Sequence, residues 1–306
     1  MAGLRGAARL GFASSFHATL DRAFNLHQRS SMPTLQLNGA TINYGDSGAG
    51  DPSAPDDVLV LLHAAGSTGG QWRGVAPRFI DRFRVLTPDL LGHGGTDAWP
   101  DPEAMRHDDQ AALLRAILDD VGATAPIWLV GHSYGGATAI RFALNEPDAV
   151  RSLVLIEPMV ACVLEELGET ETLAPLWDMS KGFLKNLAEG GPETAWRIFL
   201  DFRNGPGSWA AYPEKTRARF IARTQGQVAN LHSNDNNRTT IAELRGLAIP
   251  SVAMRSEHAT VFDGRMVEIV ADAMPDCATI LLKDAEHMAP LNKPDLVADE
   301  IERHFQ

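Results

Sequence analysis

A chain of 306 residues is long enough for one large α/β domain with an insertion. A formal net charge of −12 argues against nucleic acid or an anionic membrane surface as a standing partner, and no apolar stretch approaches the roughly 18–20 residues of a membrane span. The two cysteines, Cys162 and Cys277, lie far apart and outside any ligand spacing, which argues against a disulfide scaffold or a zinc site and fits a reduced, cytoplasmic compartment.

Residues 1–31 differ from the rest. They carry Arg5, Arg9, Arg22 and Arg29 against one acid, Asp21, with Ser14, Ser15, Ser30 and Ser31 among small residues. That composition fits an extension dispensable to the fold, and it also fits an arginine-rich targeting segment or a partner-binding helix. Strand alternation begins after Met32. Residues 35–37 are expected to pair with 41–44 across an Asn38-Gly39 hairpin turn, followed by a polar loop over 48–57. Apolar β-runs follow at 58–62, 84–86, 127–130, 153–156, 251–254 and 279–282, separated by helical periodicity such as 109–121, which stops at Gly122. Strands apolar on both faces and joined by helices predict an α/β fold: a mostly parallel, eight-stranded sheet covered by helices on both faces. The site of such a sheet lies outside the carboxyl ends of its strands.

Between 158 and 247 the strand signal stops. Helical segments there are rich in Trp177, Met179, Phe183, Leu184, Trp196, Phe199, Leu200, Phe202 and Phe220. Most of these are expected to pack a small core of their own, and a few to roof a pocket over the sheet. The expected division is therefore an extension (1–31), a core (32–157 and 248–306) and an inserted helical cap (158–247).

The run Gly131-His132-Ser133-Tyr134-Gly135-Gly136 stands directly behind the apolar run Ile127-Trp128-Leu129-Val130. It reads as a nucleophile elbow, in which a buried strand turns sharply into a helix and leaves a serine at the tip. The helix is expected over 134–145, with small residues against the sheet and Pro147 ending it.

Three further motifs accompany the elbow: Leu61-Leu62-His63-Ala64-Ala65-Gly66-Ser67, Pro88-Asp89-Leu90-Leu91-Gly92-His93-Gly94-Gly95-Thr96 and Asp284-Ala285-Glu286-His287-Met288-Ala289-Pro290. With these four in order, the chain from Met32 onward resembles capped α/β-hydrolase-fold proteins of the esterase, haloperoxidase-like and carbon–carbon hydrolase branches. The resemblance implies Ser133 as nucleophile, His287 as its base, and the backbone N–H groups of Ala65 and Tyr134 as the oxyanion hole. His63, Asp89 and His93 are expected to anchor loops. Most relatives place an aspartate after the seventh strand, where this chain has Ala259 and Thr260. Some, haloalkane dehalogenases among them, carry the acid after the sixth strand, where Glu157 stands. Glu157 is the expected acid, Glu257 the alternative, and a site without a functional acid the third possibility. Asp263 is read as too far along its loop. Met159, Trp177, Trp196, Phe199, Val261 and Met288 are the expected pocket residues.

Ser133 excludes the alkyl-ester chemistry of dehalogenases and epoxide hydrolases, which needs an aspartate at the elbow. The implied function is hydrolysis of a small or medium carboxylic ester or lactone. Carbon–carbon bond hydrolysis, perhydrolysis and non-catalytic ligand binding are the alternatives. No metal, nucleotide or flavin motif is present; the glycines at 66–70 lack a phosphate-loop lysine and dinucleotide spacing, so no cofactor is expected.

Overall fold

Asn38 and Gly39, at φ 51° and 85°, turn β1 (Thr34–Leu37) back onto β2 (Ala40–Asp46) in the antiparallel hairpin the sequence predicts. The computed structural model describes residues 32–51 and 53–306; the expectations for 1–31 lie outside the described residues. β2 pairs antiparallel with β4 (Arg84–Pro88), and the remaining strands are parallel. They are β3 (Val58–Leu62), β5 (Ile127–His132), β6 (Val150–Ile156), β7 (Ser251–Ser256) and β8 (Cys277–Leu282). The eight strands run in the order β1-β2-β4-β3-β5-β6-β7-β8. Several are longer than their apolar runs. Polar residues such as Ser152 and Ser256 extend the ladders at strand ends, where backbone pairing does not need an apolar side chain.

Period-2 alternation divides the core into two layers. Val58, Val60 and Leu62 of β3 join Leu129, Leu153 and Leu155 on one face, packed with Leu113, Leu114 and Ile117 of α1 (His107–Asp120) and Ile140 and Phe142 of α2 (Tyr134–Asn145). Leu59 and Leu61 point the other way. They meet Val130, Val154, Ile156, Trp72 and Phe79 together with Val297, Ala298 and Ile301 of α10 (Pro294–His304). Each fully buried leucine or isoleucine here contributes ~1.5–3 kcal/mol of transfer free energy.

Between β6 and β7 the described chain is helical: α3 (Ala161–Glu166), α4 (Thr170–Asn204), α5 (Ser208–Ala211), α6 (Glu214–Ala222), α7 (Thr224–Asp235) and α8 (Ile241–Arg245). α4 breaks at Gly191, φ 79°, just before Pro192. Phe183, Trp196, Phe199 and Phe220 pack edge-on or tilted at centroid separations of 4.9–6.1 Å and give the insertion its own core. Backbone contact sets its seat on the sheet. A Cβ on Gly226 would lie 2.1 Å from the Gly92 carbonyl oxygen, so both glycines are needed for α7 to approach the loop after β4. Buried polar pairs then fix the register: Tyr134 Oη with Ser233 Oγ at 2.8 Å, Asn230 Nδ2 donating to His93 Nε2 at 2.9 Å, and His107 Nε2 with Asn234 Oδ1 at 3.1 Å. Among the described residues no helix is long and apolar enough to cross a membrane.

These buried rings make the fold acid-sensitive. Burial lowers the pKa of His63 and His107 to about 4, and that of His93 to about 3, from the ordinary 6.5. All three are neutral in the fold above those values, whereas unfolding exposes them to protonation below pH 6.5. The stability they contribute is complete above pH 6.5 and is lost as the pH falls towards the lowered values. His107→Gln is expected to flatten the dependence of unfolding free energy on pH by up to about 1.4 kcal/mol per pH unit between about pH 6 and 4. Urea titrations at a series of pH values measure it, and an unchanged slope would contradict a neutral buried His107.

Candidate active site

The elbow forms because two glycines let α2 fold tightly against β5. A Cβ on Gly131 would sit 2.4 Å from the Gly135 carbonyl oxygen, and one on Gly135 would sit 2.6 Å from those of Leu62 and His63. The turn holds Ser133 at φ 53° and ψ −113°, a conformation that costs about 1–3 kcal/mol for a residue with a side chain. Its neighbours over-determine it. Ser133 N–H donates to Ile156 O at 2.9 Å, while Ser133 O accepts from Gly136 and Met159 N–H at 2.9 and 3.0 Å. Ser133 is 5% exposed.

The loop after β3 is pinned by histidines acting as loop anchors. His63 Nδ1–H donates to Ala64 O at 2.8 Å, and its Nε2 accepts from Leu90 N–H at 3.1 Å. His93 Nε2 accepts from Gly66 N–H at 3.2 Å. Asp89 receives Gly69 and Gly95 N–H at 2.8 and 2.9 Å. Ala64 N–H donates to Gln71 Oε1, Gln71 Nε2–H donates to His132 Nδ1, and His132 Nε2–H donates to the His287 carbonyl, at 3.2, 3.1 and 2.8 Å. This buried relay ties the loop after β3 to the loop after β8. Among the described residues the N–H groups of Ala65 and Tyr134 donate to no protein acceptor, as groups aimed at a ligand oxygen would not.

Glu157 follows β6 at φ 44°, fully buried, and its Oε2 lies 2.6 Å from His287 Nδ1 while Oε1 accepts from Ser256 N–H at 2.7 Å. Burial alone would raise its pKa, but the hydrogen bonds and charge of His287 together with the Ser256 N–H prevail and hold the carboxyl at about 2. It is therefore ionised and accepts from Nδ1–H. Glu257 stands elsewhere, exposed and receiving Asp284 N–H at 2.8 Å.

Two residues join the site that the sequence did not assign to it. Asp263 is fully buried with Oδ2 3.8 Å from His287 Nδ1. It does not lie along a loop, because α9 (Val261–Ala273) has already begun and Thr260 caps it, accepting from Asp263 N–H at 3.2 Å. The Thr-x-x-Asp spacing is the helix-start signal that would have found it. Arg203, from the last turn of α4, donates through Nη1 to Asp263 Oδ2 at 3.1 Å and through Nη2 to His287 Nε2 at 2.5 Å. An Nε2 that accepts and an Nδ1 that donates define one neutral tautomer of His287.

Glu157, Asp263 and His287 offer three ligand atoms within 4.8 Å of one another, the arrangement in this site that could hold a metal ion. The guanidinium of Arg203 already supplies the cation there. Its pair with Asp263 is at most 7% exposed on either side. Asp263→Ala should strand that buried charge and destabilise the protein by about 3–5 kcal/mol in urea unfolding, with Arg203→Met in the Asp263→Leu background recovering most of the loss. Equal destabilisation in the double variant would mean that volume, not charge, sets the cost.

Ser133 lines two cavities. One, of about 200 Å³, is bounded by Ala65, Phe199, Leu200, Arg203, Phe220, His287 and Met288; the other, of about 50 Å³, by Tyr134, Met159, Leu176, Trp177, Phe199 and Gln227. Met159, Trp177, Phe199 and Met288, expected as pocket residues, stand on the walls of these cavities. Trp196 and Val261 do not. Trp196 is fully buried in the aromatic core behind the loop after β3, its Nε1–H donating to Thr224 Oγ1 at 3.1 Å. Val261 is 77% exposed, since the first residue of α9 faces solvent while Phe262 turns inward.

The profile of the alpha/beta hydrolase fold matches residues 57–294, and the chain belongs to that family. It is 32% identical to a cis-3-alkyl-4-alkyloxetan-2-one decarboxylase from Xanthomonas campestris, over 86% of this chain and 91% of that one. A Mycobacterium tuberculosis lipase, LipV, is 39% identical over 36% of this chain, which spans only 40% of the lipase's length. The solved enol-lactonase from Burkholderia xenovorans has a similar fold, with a TM-score of 0.70 at 18% identity over 89% of this chain and 99% of that one.

Proposed function

We propose that the protein is a serine hydrolase that cleaves carboxylic esters or lactones through an acyl-enzyme on Ser133, with His287 as base and Glu157 as the acid that orients it. The observation that carries this reading is the 2.6 Å bond from His287 Nδ1 to Glu157, which leaves Nε2 the basic nitrogen in a cavity shared with Ser133. Ser133 Oγ attacks the acyl carbon as its proton passes to Nε2. The ionised Glu157 stabilises the resulting imidazolium, and the N–H groups of Ala65 and Tyr134 receive the oxyanion. His287 then returns the proton to the departing alcohol, and water repeats the sequence on the acyl-enzyme. Arg203 must release Nε2 before the serine proton can move there.

In this reading residues 158–247 form a cap that governs selectivity, while the loops of the core carry the chemistry. The substrate is a small molecule, and the scheme draws on no cofactor. A panel of p-nitrophenyl esters and lactones of graded size tests the proposal. Turnover with a clear size preference is expected, and silence across the panel would contradict it.

A further inference from the structure

Resting on the acyl-enzyme reading, we infer that the protein acts on esters of short acids with larger, apolar alcohols: the 50 Å³ cavity takes the acyl chain and the 200 Å³ cavity takes the leaving group. Proton delivery decides which is which. In acylation the Ser133 Oγ–carbon bond forms, the carbon–oxygen bond to the alcohol breaks, and the proton taken from Ser133 by His287 Nε2 goes to the alcohol oxygen. The alcohol must therefore leave on the side of Ser133 where His287 stands. His287 lines the larger cavity and a further one of about 280 Å³, but not the smaller. The acyl chain is left with the smaller space, beside Tyr134, Met159, Met179 and Leu231.

The size and polarity of the two cavities agree with this orientation. A water needs roughly 10–15 Å³ on this volume scale, so the smaller cavity holds roughly three to five heavy atoms, an acyl chain of about two to four carbons. Its wall also includes Ser180, Gln227, Asn234 and Asp235, and the buried Oε1 of Gln227 has no hydrogen-bond partner among the described residues. A longer alkyl chain would press on polar groups with nothing to offer them. The larger cavity presents Phe199, Leu200, Phe220, Met288 and Leu291, which suit an apolar alcohol.

Two ester series on the full-length protein test the orientation: p-nitrophenyl esters from acetyl to decanoyl, and acetates of alcohols from ethyl to octyl and benzyl. The expected result is a fall in kcat/KM of at least about tenfold between butanoyl and hexanoyl, with acetates improving as the alcohol grows. Met179→Ala and Leu231→Ala, two independent ways to widen the smaller cavity, should move the acyl optimum to longer chains and leave the ranking of alcohols in place. A preference for long acyl chains with short alcohols, or widened variants that change only the alcohol ranking, would overturn the inference while leaving the acyl-enzyme reading intact. No turnover in either series together with no covalent labelling of Ser133 would instead overturn the reading on which it rests.

Discussion

Glu157→Gln is expected to lower kcat on the best ester by roughly 10²–10⁴-fold, the range for removing the acid of a serine–histidine pair whose other parts remain. The amide can still accept from Ser256 N–H, as Oε1 does at 2.7 Å, so the fold should survive. Gln offers no charge to stabilise the imidazolium, and its amide can turn His287 into the wrong tautomer. Asp263 remains 3.8 Å from the same nitrogen, but it is engaged by Arg203 and Thr260. Its residual support places the expected loss nearer the lower end of the range. Steady-state kinetics with circular dichroism decide the matter. Glu257→Gln should be mild, and a dead Glu257→Gln beside an active Glu157→Gln would show that the acid belongs to the other strand.

Ser133→Ala should cost more, roughly 10⁶-fold in kcat, because the proposed scheme forms the acyl bond on Ser133. Alanine keeps the Cβ and with it the strain of φ 53°, so its stability should match the parent. Ser133→Gly separates the two effects. Glycine tolerates positive φ, and the variant should be inactive yet more stable by about 1–3 kcal/mol, the strain released at the elbow. Urea unfolding of the three proteins measures this, and a Gly variant no more stable than the parent would mean that the elbow stores no strain.

The parts of the site legible from sequence are those fixed by neighbours along one strand end. The elbow is local, so strand run, glycines and helix signal all fall within 127–145. Glu157 is legible at one remove. β5 and β6 run parallel with His132 opposite Ile156, which places the residue that follows β6 beside Ser133. Arg203 was not legible, because the seat of the insertion depends on the contact of Gly226 with Gly92 and on buried polar pairs that no periodicity reveals. The same limit explains Trp196: an apolar residue on a helix faces either pocket or core, and here Phe183, Phe199 and Phe220 surround it. Asp263 and Val261 share one cause. Both depend on α9 starting at Val261, which turns the aspartate inward and the valine out.

The most direct test of the account is covalent capture. The protein is treated with a fluorophosphonate, digested, and the modified peptide is sequenced by mass spectrometry in parallel with loss of ester hydrolysis. One adduct is expected, on Ser133, formed in step with inactivation and strongly slowed in His287→Gln. An adduct on another serine, or esterase activity that survives complete modification of Ser133, would contradict it.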